Sequence, residues 1–128
     1  MRIFYSALAM LSLLLPAASA MSHHSFSAEF DVGRPVEITG TIVEVEWTNP
    51  HAWFHLDVEG DEGNIERWAV EMLGINALFR GGITPETVKI GDVLTFKGYG
   101  ARNGSNTANA SLMVHAGTGK VLWSSAAR

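Results

Sequence analysis

"VEITGTIVEVEWTNPHAWFHLDV", residues 36–58, decides the fold. Val36, Ile38 and Ile42 share one parity of an extended chain, while Val43, Val45 and Trp47 share the other. Successive side chains of a strand point to opposite faces, so a change of parity inside one apolar run signals a bulge or strong bend near Gly40 to Val43. "TNPH" then reads as a turn, because Pro50 lacks a backbone donor and Asn49 tolerates turn geometry. In "AWFHLDV", Ala52, Phe54, Leu56 and Val58 alternate with Trp53, His55 and Asp57, which predicts a second strand with one buried face.

Working outward from this hairpin, the cluster "EGDEGN" turns the chain into a third strand, "IERWAVEM". Trp68, Val70 and Met72 occupy one of its faces, and Arg67 and Glu71 the other. Leu73, Ile75, Leu78 and Phe79 are spaced for a short helix that Gly81 and Gly82 stop. "VLTFKGY" supplies a fourth strand, "GARNGSNT" a loop and "ANASLMVH" a fifth strand, with "KVLW" as a final edge. The order predicts a mainly β domain: a small five-stranded OB-like barrel with one short helix between strands three and four. Closing the sheet removes strand edges that would otherwise pair with other chains. A β-sandwich is the alternative, and the helix position favours the barrel.

At the other end, Met1 and Arg2 precede the apolar stretch "IFYSALAMLSLLL", Pro16 and "AASA". Charge, apolar core and small residues in that order predict a secretory signal over residues 1–20, with an apolar part too short for a membrane span. An N-terminal histidine-containing segment, 21–34, and a β domain, 35–128, follow. Without Arg2, eight Lys and Arg face thirteen Asp and Glu, a formal charge of −5. Such a surface, with no basic run, is a poor partner for nucleic acid or anionic lipid, both of which require neutralised phosphates. The chain has no cysteine, which excludes disulfides, thiolate metal sites and cysteine nucleophiles. The expectation is a soluble exported protein, periplasmic in a Gram-negative bacterium.

Four pieces together, "HHSFSAEFD", "GTIVEVEWTNPHAWFHL", "RWAVE" and "GDVLTFKG", span nearly the whole of the mature part. In them the chain resembles a family of small exported bacterial proteins of unknown function with a His-His-Ser-Phe start and a Trp-x-Asn-Pro-His turn. The resemblance implies a periplasmic β-barrel, marks His23, His24, Asn49, Pro50 and His51 as the matching positions, and brings no activity with it.

The chemistry legible in the residues is metal binding, since imidazole binds Cu, Zn and Ni and all five histidines follow the signal. Cleavage after Ala20 starts the chain Met21-Ser22-His23 and makes a square-planar nitrogen set from the amine, two amides and the His23 imidazole. Cleavage after Ser22 makes His23 the first residue, whose amine and ring clasp copper while a histidine brought by the fold completes the set. His51, in a turn at a barrel end, is the expected partner. His55 lies roughly 13 Å further along an extended segment, too far to share one ion with His51. The metal ligands expected are therefore His23, His24 and His51, with copper first and zinc or nickel next.

Trp53, His55 and Asp57 mark a second candidate surface, on the outer face, for a small ligand or an envelope protein partner. Trp53 can stack a ligand there or lie under the N-terminal segment through Phe26 and Phe30. Trp47 and Trp68 fall on apolar faces and are expected in the core. Glu44, Glu46, Asp57 and Glu71 are expected on a solvated strand face. No Gly-rich phosphate loop, serine nucleophile elbow or His-Glu-x-x-His helix occurs, which argues against an enzyme.

Overall fold

The computed structural model describes residues 26–125. A helical turn over residues 26–29 (α1) leads into β1 (Phe30–Glu46), followed by β2 (Trp53–Glu59), β3 (Ile65–Glu71), helix α2 (Ile75–Arg80), β4 (Val93–Ala101), β5 (Thr107–His115) and β6 (Val121–Ser124). These six strands form one sheet in the order β3-β2-β1-β4-β5-β6, and a further pairing of β3 with β5 joins the sheet into a ring. That closing contact is parallel, Ala69 to Thr107, Val70 to Ala108 and Glu71 to Asn109, while the other pairings are antiparallel. The mainly β fold and the helix between strands three and four are as the sequence predicts.

The parity change in the first strand has its expected cause. Ile42 pairs with Leu56 and Glu44 with His55, so Val43 is an extra residue in β1, a bulge. Up to Gly40, β1 pairs with β4; Thr41 pairs with both β4 and β2, and from Ile42 onward the partner is β2. Gly40 sits at this crossing, where an added Cβ would stand 2.6 Å from the Asp57 carbonyl oxygen.

The observed β1 starts at Phe30, six residues ahead of the strand expected from the sequence. The broken signal comes from Gly33 and Pro35, but Pro35 lies in the part of β1 that pairs with β4 alone, where a missing donor is tolerated. Arg34 lies across Gly100 of β4 and its Nη1 donates to the Ala101 carbonyl at 2.6 Å.

Inside the ring, Ile38, Ile42, Phe54, Leu56, Val70, Leu94, Phe96 and Met113 are buried, and Leu78 of α2 joins them. Phe54 is at the centre, with ring centroids 5.7 Å from both Trp47 and Phe96. Trp47 and Trp68 pack against this core as expected. Phe54→Ala is expected to cost about 3–5 kcal/mol of unfolding free energy, measured by urea denaturation; a loss below about 1 kcal/mol would place the core elsewhere.

Candidate functional site

Residues directly opposite one another in paired strands project from the same face, and the register lines up one row across the ring. Glu46 of β1 faces Trp53 of β2, Trp53 faces Glu71 of β3, and Glu71 faces Asn109 of β5. The neighbouring row holds Phe54 and Val70, which are buried in the core. Trp53, Glu71 and their row therefore stand on the outer face.

An outer face with a carboxylate in it is ordinarily solvated, which is the sequence-based expectation for Glu71. The structure corrects it: Glu71 is 7% exposed, a buried charged residue. Residues 26–30 stand beside this face, lining the same cleft as Glu71. Phe30 is buried, and Phe26 lies 5.6 Å from Phe30 and 6.2 Å from Tyr99 between ring centroids. Phe26, Glu29 and Phe30 form one wall of an open cleft of about 640 Å³, and the row from Glu46 to Asn109 forms its floor with Thr48, Asn49, Pro50 and His51.

The turn before β2 carries His51 into this cleft. The Asn49–Pro50 peptide is cis, and the Thr48 hydroxyl donates to the His51 carbonyl at 2.7 Å. Gly74 packs directly beneath: a Cβ there would collide with Asn49 Oδ1 and stand 2.7 Å from the Pro50 carbonyl oxygen. His51 Nδ1 lies 3.1 Å from the Met72 carbonyl oxygen and 3.1 Å from Glu71 Oε1. A carbonyl oxygen can only accept, so Nδ1 carries the hydrogen and Nε2 of the neutral ring keeps its lone pair. The His51 side chain is 47% exposed and lines the cleft.

Glu71 also accepts from Asn109 Nδ2 at 3.1 Å. Asn109 reaches it because Gly98 of β4 lets the backbone of β5 approach; a Cβ on Gly98 would collide with the Asn109 carbonyl oxygen. Burial raises the Glu71 carboxyl above its ordinary pKa, His51 when protonated and the Asn109 amide draw it back, and Glu29 adds to the rise. The net shift is upward.

Among the expected site residues, His51 and Trp53 line the cleft. His55 Nε2 is 2.8 Å from Glu46 Oε1, a carboxylate of the cleft floor, so His55 stands one residue pair to the side. Asp57 lies further along β2 and accepts from Arg67 Nε at 2.6 Å. His23 and His24 lie outside the described residues, as does the predicted signal. Among the described residues no three His, Asp or Glu side chains come together as a metal set. Sequence reasoning missed Glu71 as a buried anchor and Asn109 altogether. The parity of β3 puts Glu71 on the correct face, and its neighbours there, His51 and Asn109, are brought by the turn before β2 and the pairing with β5.

A family model described as "Family of unknown function (DUF6152)" matches residues 10–110 of the chain. A comparison with curated proteins gives no match. Among solved structures, the chain is similar to the ZRD-deleted mutant of TiaS in complex with agmatine and to a complex of TiaS with a transfer RNA and ATP. Each has a TM-score of 0.47 and 18% identity over 64% of this chain. The match takes in 21% of the first of those chains and 18% of the second, so the chain spans about a fifth of their length.

Because Glu71 holds a proton more readily folded than unfolded, ionising it works against the fold. Its contribution is therefore most favourable below the ordinary glutamate range and is lost as pH rises through the higher folded value. Glu71→Gln removes that loss. The melting temperature of the variant relative to the native protein is expected to rise with pH across this window; a difference that stays flat with pH would contradict the assignment.

Proposed function

The chain belongs to the DUF6152 family, a family of unknown function, and we propose that this member is a small exported, periplasmic protein that binds a divalent transition metal, copper first and zinc or nickel next. The observation that carries this reading is the direction of the His51 ring. A histidine that ligates a metal through one nitrogen usually donates the other N–H to a carboxylate or a backbone carbonyl, which fixes the tautomer and raises ligand basicity. His51 Nδ1 donates to the Met72 carbonyl with the Glu71 carboxylate 3.1 Å away, which leaves Nε2 for a ligand.

One imidazole does not hold a metal, and the remaining donors are assigned to His23 and His24. Phe26 lines the cleft that His51 lines. His24 precedes Phe26 by two residues and His23 by three, stretches of chain that reach at most about 7 Å and 11 Å. Chain length therefore allows both histidines to reach the cleft mouth. With His23 as the first residue, its amine and imidazole supply two nitrogens and His51 Nε2 a third. An all-nitrogen set of this kind favours copper over magnesium or calcium, which select oxygen. Glu71 and Asn109 act behind His51, orienting it, and the cysteine-free sequence leaves no thiolate to compete.

Isothermal titration of the processed protein with copper(II) tests the reading. His51→Ala and the double variant His23→Ala/His24→Ala are each expected to weaken binding, and Glu71→Gln to weaken it by about 10–100-fold through His51. Native affinity in His51→Ala, with binding lost only in the double variant, would reduce the site to a terminal chelate independent of the fold. Copper binding no tighter in the native protein than in the double variant would overturn the proposal entirely.

A further inference from the structure

Glu29, Phe30 and Trp53 line a second depression of about 320 Å³ as well as the larger cleft, so the two adjoin along these residues. The second is walled by the loop between β4 and β5, with Arg102, Asn103, Ser105 and Thr107. The larger lies within the roughly 300–1,000 Å³ usual for small-molecule sites, and the smaller reaches its lower bound. The two depressions, taken together as one groove, share the half-buried Trp53 and extend from the turn at Asn49–His51 to the loop of residues 102–106.

From this arrangement we propose that the groove binds a short neutral oligosaccharide, one ring stacked on Trp53 and its neighbours hydrogen-bonded on either side. This goes beyond the metal reading and does not depend on it. An aromatic face offers the apolar side of a sugar ring a flat contact with little conformational entropy to lose. Sugar hydroxyls both donate and accept, and the groove provides partners of both kinds. Asn103 keeps its amide nitrogen after its Oδ1 accepts from the Ser105 backbone, Thr107 keeps its hydroxyl hydrogen while its oxygen accepts from the Ser105 hydroxyl, and Glu46 keeps the carboxylate oxygen that His55 does not contact.

Two other occupants fit less well. An extended peptide commonly binds by adding a strand to an open sheet edge. Here the edges beneath the groove are consumed, because Ala69–Glu71 of β3 and Thr107–Asn109 of β5 pair with each other. A nucleic acid or other polyanion would meet three lining carboxylates, Glu29, Glu46 and Glu71, against one lining cation, Arg102, whose Nε already donates to the Ser27 carbonyl at 2.6 Å.

Cellotriose, maltotriose and triacetylchitotriose serve as neutral probes, with a heparin tetrasaccharide, a single-stranded oligonucleotide and a tetra-alanine peptide beside them. They are titrated into metal-free protein while tryptophan fluorescence and backbone amide NMR shifts are followed. At least one neutral trisaccharide is expected to bind, shifting the Trp53 indole and the amides of residues 102–107. Trp53→Ala is expected to weaken that binding at least tenfold, Trp53→Phe to retain part of it, and the double variant His23→Ala/His24→Ala to leave it unchanged while lowering copper affinity. Absence of binding by all three trisaccharides, NMR shifts away from Trp53, full binding in a folded Trp53→Ala, or binding by the peptide or polyanions alone would each overturn the proposal. The NMR map of the native protein decides even where Trp53→Ala does not fold.

Discussion

The parallel contact between β3 and β5 is the constraint on which the site depends. It closes the sheet through only three residue pairs, Ala69–Thr107, Val70–Ala108 and Glu71–Asn109. The middle pair belongs to the core, where Val70 and Ala108 are buried. The pair after it belongs to the outer face and sets the Asn109 amide on the Glu71 carboxylate. Closing the core and assembling the cleft floor are thus one event. Without that pairing Glu71 would have no partner across the seam, and an unpaired buried carboxylate is costly.

Glu71 in turn determines what His51 can do. The Met72 carbonyl fixes the hydrogen of the ring on Nδ1 with the Glu71 carboxylate beside it, so Nε2 is the nitrogen left with a lone pair. The stretch at residues 26–30 lines the same cleft, in which the carboxylate is buried and the histidine half in solvent. A buried anchor under an exposed imidazole suits a ligand-binding histidine, since the cost of burial falls on the group that does not meet the ligand.

Much of the fold was legible in the sequence because its causes are local. The parity switch from Ile42 to Val43 is the bulge itself, and the spacing of Ile75 and Leu78 before Gly81 is the helix itself. The turn at Asn49–Pro50 and the outward parity of Trp53 were equally plain. What stayed hidden was nonlocal. Gly33 and Pro35 break the alternation that would have announced the first part of β1, although pairing with β4 carries the strand through them. Nothing near Glu71 in sequence distinguishes it from Glu44 or Glu46; Phe26 and Phe30 line the same cleft, and its partner Asn109 lies 38 residues further along the chain. Asn109 looks like part of an alternating strand, and its role exists only once β5 meets β3.

Anomalous diffraction at the copper edge from crystals of the processed, copper-loaded protein probes the role given to His51 most directly. A peak about 2 Å from His51 Nε2, with Nδ1 still held by Met72 O and Glu71 Oε1, is the expected result. A peak bound by the terminal residues alone and remote from His51, or copper on Nδ1 with the Glu71 contact broken, would refute it.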